Sequence, residues 1–175
     1  GMAYPPVALP AASAPVVDGN LTDKCWDGRE AVQLWSEGTP GNQRAAQRTF
    51  FRYDSEKLYV GFECPKASAG NGNNWRLYLS DRGSFHPDYR GVQVIAGATI
   101  FSVNSTGARV VNDKPVVVGQ WTAAWAGAWS NDGTMLRGEM AIPWTTLEAA
   151  GIWKEQLLVN PALAWNQNTD DSVYL

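Results

Sequence analysis

Charge is scarce in this chain. Asp, Glu, Lys and Arg make up 18% of its 175 residues, the net charge is −3, and no stretch gathers Lys and Arg into a basic stripe. Nucleic acid is excluded as a partner on this ground, because phosphate binding needs clustered cations. Histidine occurs once, as His86, in a proline-flanked segment with Asp88. No Gly-x-Ser-x-Gly elbow accompanies it, so a Ser-His-Asp apparatus has no support. Cys/His zinc spacing and an EF-hand loop are also missing. Asp18, Asp23, Asp54, Asp81 and Asp132 fall on turn or cap positions, where a short acidic side chain bonds its own backbone rather than pairing for glycoside hydrolysis. No apolar run approaches the ~18 residues of a membrane span. The chain therefore reads as a non-enzyme.

Cysteine is nearly absent too, at Cys25 and Cys64. Two readings stand. One is a disulfide closing a loop of about 40 residues, worth roughly 4 kcal/mol in the chain-entropy model. The other is two buried free thiols.

What the chain does have is tryptophan, nine in all, and short alternating segments. Thr49 to Cys64, TFFRYDSEKLYVGFEC, predicts a β-hairpin around which the rest is organised. Leu58, Val60, Phe62 and Cys64 alternate with Tyr59, Gly61 and Glu63, as strands with one core face do. Asp54 to Lys57 make the turn. Before it, Val16-Val17 reads as a strand and Asp18-Gly19-Asn20 as a tight turn. Thr22 or Asp23 caps a helical turn carrying Cys25 and Trp26, with Trp26 plugging one end of the core. Ala31 to Trp35 is a further short strand. After the hairpin, Pro65 to Asn74 reads as a loop. Trp75 to Ser80 alternates, with Trp75, Leu77 and Leu79 on the core face and Arg76, Tyr78 and Ser80 on the other.

Asp81 to Asp88 reads as a loop, Tyr89–Ala96 and Thr99–Asn104 as a hairpin about Gly97-Ala98, and Ser105–Lys114 as irregular. Trp121, Trp125 and Trp129, spaced by four, share one face of a strand. That row either packs in the core or faces out as an aromatic platform. Asn131-Asp132-Gly133 turns into a strand, Met135 to Pro143, whose core face is Leu136, Gly138, Met140 and Ile142. Short strands at Leu157–Asn160, Leu163–Trp165 and Ser172–Leu175 complete the chain. The predicted fold is all-β, a two-sheet antiparallel β-sandwich of jelly-roll-like form with one short helix near residues 144–150. Residues 1–14 read as a tag scar and a Pro/Ala-rich linker, and 15–175 as a single domain.

Three stretches, in order and at matching spacing, carry a resemblance. PVVDGNLTDKCW (Pro15–Trp26) is similar to an opening V-D-G-x-L-D-x-x-x-W. YDSEKLYVGFEC (Tyr53–Cys64) is similar to a hairpin Y-D-D-x-x-L-Y-V. GEMAIPWTTL (Gly138–Leu147) is similar to E-x-A-I-P-W-x-x-L. Together they resemble carbohydrate-binding module family 9 and its DOMON-like relatives. The resemblance implies a β-sandwich that binds sugar without catalysis on secreted glycan-active proteins. It implies a site where two tryptophans clamp a sugar and polar residues of adjacent strands bond it. One such residue is a glutamate in a strand similar to Asn73–Tyr78, which puts Arg76 in its place. A second, often Arg, falls at Gln93, or at Ser102 in the alternative register. The clamp tryptophans have no counterpart in Ala69-Gly70-Asn71-Gly72 or in Asn166–Asp171. The resemblance makes calcium a candidate cofactor, held by turn aspartates and carbonyls. Some DOMON-like domains bind haem through Met and His, which here points to Met135, Met140 and His86.

A sugar site needs a flat apolar ring and planar polar groups beside it. Arg76, Tyr78 and Gln93 are the polar candidates, and Trp121 and Trp125 the stacking ones. The expected function is a non-catalytic carbohydrate-binding module, secreted, periplasmic or at the cell surface, with a glycan as partner. The competing reading is a protein-interaction or structural domain that kept the fold and lost the sugar site. Haem binding is third.

Overall fold

The computed structural model describes residues 9–28, 32–34, 47–69, 72–80, 85–87, 93–95, 99–112, 124–150 and 158–164. In chain order the elements are β1 (Leu9–Pro10), a 3-10 turn (Lys24–Trp26), β2 (Val32–Leu34), β3 (Gln47–Tyr53), β4 (Lys57–Pro65), α1 (Lys66–Ala69), β5 (Asn74–Ser80), β6 (Phe85–Pro87) and β7 (Gln93–Ile95). Then come β8 (Thr99–Asn104), β9 (Gly107–Asn112), β10 (Ala126–Asn131), β11 (Met135–Pro143), α2 (Trp144–Ala149) and β12 (Leu158–Ala164). They form the expected two-sheet sandwich. One sheet runs β1-β3-β4-β11-β10, with β2 also on β3. The other runs β12-β5-β8-β9, and β6-β7 is a separate ribbon.

The predicted hairpin is β3–β4, in register Phe51↔Val60 and Tyr53↔Leu58. Its turn is set by Asp54, whose Oδ1 accepts the N–H groups of Glu56 and Lys57, both at 2.8 Å. The Tyr59 hydroxyl donates to the other carboxylate oxygen. Asp18, Asp23 and Asp132 also bond nearby backbone N–H groups, and Asp81 lies outside the described residues.

Period-2 alternation decides the two faces of β4 and β11. Leu58, Val60, Phe62 and Cys64 point between the sheets with Leu136, Met140 and Ile142, against Trp75, Leu77, Leu79, Phe101 and Val103 of the second sheet. Tyr59 and Ala141 point outward, where Phe50, Leu21, Cys25 and Trp26 join them in a second cluster. Trp26 therefore does not plug an end of the sandwich. It lies on the outer face of the first sheet, fully buried. Both faces have a tryptophan seated on a glycine. A Cβ on Gly138 would meet Trp75 Cδ1 at 2.4 Å, and one on Gly61 would meet Trp26 Cζ3 at 3.2 Å. Trp75 also stacks on Phe62, with centroids 5.1 Å apart.

The N-terminal segment is held down by Glu139, the outward residue at the middle of β11 and fully buried. Its Oε1 accepts the backbone N–H groups of Asp18 (3.0 Å) and Gly19 (3.2 Å), and its Oε2 accepts Trp26 Nε1–H (2.8 Å). Gly19 takes the predicted positive φ, +84°, which aims two successive amides at one oxygen.

Several local expectations are corrected. Val16 and Val17 form no strand, and Val16 is 69% exposed. Leu9 and Pro10, within the predicted linker, pair in parallel with Arg52 and Tyr53. Pro65 to Asn74 contains the single helical turn α1. Phe85–Pro87, read as loop, pairs with β7, while β8 turns into β9 instead of pairing with β7. Ser105–Lys114, read as irregular, supplies β9. Its turn residue Asn104 accepts the N–H of Thr106 at 2.8 Å, which closes that hairpin. Ser172–Leu175 lies outside the described residues.

Cys25 and Cys64 are both buried thiols not joined to each other, which corrects the disulfide reading. The physical reason is the alternation itself: Cys64 faces the space between the sheets, and Cys25 sits in the cluster on the opposite side of the same sheet. Burial pushes the Cys25 thiol up to about 11, although the Arg52 guanidinium pulls it down. A thiol reagent is expected to label neither cysteine in the native protein and both once it is denatured. Reductant should leave the melting temperature unchanged.

The pH dependence of stability follows from two carboxyls with opposite shifts. Burial pushes Glu139 above its ordinary 4.5, against the three N–H donors. The folded chain thus keeps this proton to higher pH than the unfolded chain, and stability falls as pH rises from 4.5 through the folded value. Burial also pushes Asp54 up, but the Tyr59 hydroxyl and the Glu56 and Lys57 amides bring it below 3.8. Its contribution is present above 3.8 and is lost as pH falls through the folded value. In Glu139→Gln, the decline above pH 4.5 should flatten while the acid limb persists, as read from urea midpoints between about pH 3 and pH 8.

Candidate functional site

The outer face of the second sheet gathers polar residues by strand register. Arg76 of β5 lies opposite Ser102 of β8, and Ser102 lies opposite Arg109 of β9. The adjacent row is Tyr78↔Ile100, with Asn160 of β12 at the register position beside Tyr78. The next row in the other direction is Asn74↔Asn104. Adjacent strands are about 4.8 Å apart, so Arg76, Ser102 and Arg109 span roughly 10 Å across the sheet.

Within this face Arg76 is the brace. It is only 6% exposed. Its Nη1 donates to the Tyr78 hydroxyl at 3.2 Å. With the Asn74 amide turned to suit its neighbours, Asn74 Oδ1 accepts Arg76 Nε–H and its Nδ2 donates to the Val103 carbonyl, each at 3.1 Å. Asn74 and Ser102 are buried, Tyr78 and Ile100 half-buried, and Arg109 exposed. The half-buried part of this face is thus the Tyr78 ring beside Ile100, with the Arg76 guanidinium bonded to the phenol hydroxyl. Such a face offers flat apolar area bordered by oriented donors and acceptors.

The residues expected to act together are only partly brought together. Arg76 and Tyr78 share this face. Of the two registers for the second polar residue, Ser102 is the one opposite Arg76. Gln93 lies on β7, paired with Pro87 of the ribbon, and its side chain is outside the described residues, as is the whole of Trp121. Trp125 is on the other side of the second sheet. It stands edge-on to Phe101, an inward residue, with centroids 5.0 Å apart. Trp129 leans on Trp75 at 6.4 Å. Both are half-buried and pack against the main core. Met140 is fully buried in that core, and His86 is on β6 with its side chain outside the described residues. Among the described residues, no three His, Cys, Asp or Glu side chains come together as a metal site.

Asn74 and Arg109 were missed by the sequence reading. Asn74 has a signal, since it continues the Arg76/Tyr78 alternation, but the Gly72-Asn73-Asn74 run reads as the end of a loop. Arg109 was lost with the strand that carries it. The brace predicts that Arg76→Met, which leaves Tyr78 and Asn74 without their shared donor, lowers stability by about 1–3 kcal/mol, measurable by urea denaturation.

No protein-family profile matches the chain, and no curated protein does. Among solved structures it is similar to a carbohydrate-binding module of family 9 from Caldicellulosiruptor kristjanssonii in complex with glucose. The TM-score is 0.55 at 12% identity, over 97% of this chain and 85% of that one. The likeness is one of fold.

Proposed function

We propose that this domain is a non-catalytic carbohydrate-binding module that takes its sugar on the outer face of the second sheet. The observation that carries the reading is the half-buried Tyr78 ring, its hydroxyl bonded by the buried Arg76 on the same strand face and its neighbours across the sheet Ile100 and Ser102. The C–H face of a pyranose stacks on such a ring, and its hydroxyls exchange hydrogen bonds with the polar rim. A fold shared with a module crystallised with glucose makes glucose and its oligomers the first ligands to offer. The reading also carries the setting of such modules, on a secreted or surface-exposed protein that acts on glycans.

The second reading, a domain kept for protein contacts, is favoured by the lack of tryptophan in Ala69–Gly72 and Asn166–Asp171. Calorimetric titration separates the two. Saturable binding of glucose or a gluco-oligosaccharide is expected, weakened at least tenfold (about 1.4 kcal/mol) in Tyr78→Ala, with the fold intact by circular dichroism. A flat response to a broad sugar panel sinks the proposal and favours the protein-contact reading. Binding unaffected by Tyr78→Ala moves the site off this face.

A further inference from the structure

The inward face of β3 is polar where a core strand should be apolar. Gln47 and Thr49 are consecutive inward positions, since they share the parity of Phe51, which faces the space between the sheets. Both are fully buried. Gln47 Oε1, Gln47 Nε2 and Thr49 Oγ1 have no hydrogen-bond partner among the described residues. Their surroundings are apolar: Phe62 is the cross-strand neighbour of Thr49, and Trp75 of the opposite sheet stacks on Phe62. Trp75 Nε1 is a further buried donor with no hydrogen-bond partner among the described residues.

Buried amides and hydroxyls are nearly always bonded in native proteins. Leaving three such atoms dry would use up much of a domain's margin of stability. We propose that the space between the sheets beside Gln47 and Thr49 is a built hydration site, holding an internal water that bridges the Gln47 amide and the Thr49 hydroxyl.

The chemistry narrows the occupant. The two side chains offer donors and acceptors together and no charge, which suits a neutral molecule that also has both and rules against an ion. The fully enclosed setting restricts it to something very small. Residues two apart on a strand have Cα atoms about 6.8 Å apart, and the long Gln47 side chain can bring its amide within the roughly 5.6 Å that one water bridges with two hydrogen bonds of about 2.8 Å. Water with three or four such partners is the usual content of a polar interior site.

Thr49→Val tests this because it keeps the shape and removes only the hydroxyl. If water bridges the pair, the variant strips that water of a partner and lowers the melting temperature by roughly 2–4 °C. If the hydroxyl is dry, its loss relieves an unsatisfied group, and an unchanged or raised melting temperature overturns the proposal. In the unaltered protein, NMR should show rotating-frame cross-peaks between a long-lived water and the Gln47 side-chain amide protons. Their absence overturns it independently, even if the variant fails to fold.

Discussion

One buried carboxylate governs how this sandwich is closed on its outer side. Glu139 has no exposed surface, and the groups that compensate its burial are three N–H donors contributed by residues more than a hundred positions earlier. The turn at Asp18-Gly19 supplies two of them as a small anion nest, and the Trp26 indole supplies the third. Nothing in local propensity would press the N-terminal segment onto the sheet. The cost of leaving that carboxylate bare does. Once the segment is docked, Leu21 and Trp26 settle over Gly61, and the outer face of β3, β4 and β11 becomes a second core.

This arrangement explains what the three resembling stretches have in common. Asp18, Gly19 and Trp26 come from the first, Asp54 and Tyr59 from the second, Glu139 and Trp144 from the third. All but Trp144, which packs against the main core, meet on the outer side of the first sheet. Trp144 Nε1 donates to the Asp54 carbonyl at 2.9 Å, and its backbone N–H donates to the Glu56 carbonyl at 3.0 Å. The stretches are thus the fastenings of the outer face of the first sheet. Arg76 and Tyr78 lie on the outer face of the other sheet, with the main core between. Likeness in the three stretches therefore bears on the fold and not on the face that carries Arg76 and Tyr78.

Where one physical signal dominated, the sequence was legible. Strict alternation and an Asp at the turn located β3–β4 and β11, and Arg76 and Tyr78 fell on one face for the same reason. Pro143 followed by Trp144 and Leu147 located α2. The signal weakened where period-2 order was broken by small or polar residues. In β9, Gly107-Ala108-Arg109 hides the start of a strand because its first inward residue is only an alanine and Val110 and Val111 break the alternation. The β8 pairing was misassigned because Gly97-Ala98 looks like a better turn than Ser105-Thr106, although Asn104 and Gly107 make the latter work. Trp125 and Trp129 carried an ambiguity that spacing cannot resolve. Whether a strand face is inward depends on what the opposite sheet presents, and here Phe101 and Trp75 claim it. The thiols were undecidable for a similar reason, since separation in sequence does not reveal which side of a sheet each occupies.

Strand β11 carries opposed cargo on adjacent residues: glycine under Trp75 at 138, a carboxylate in its nest at 139, and Met140 back in the dry core. Sliding the strand by a single residue against β4 would trade these places, sending the carboxylate among Phe62 and Trp75 and the methionine under Trp26. The strand is therefore keyed, and its alignment is fixed by contents rather than by its backbone hydrogen bonds, which any register would satisfy. A keyed strand confines tolerated length changes in the chain. Single insertions between Met135 and Pro143 have nowhere to go, whereas the Ser105-Thr106 bend is itself exposed and can absorb them.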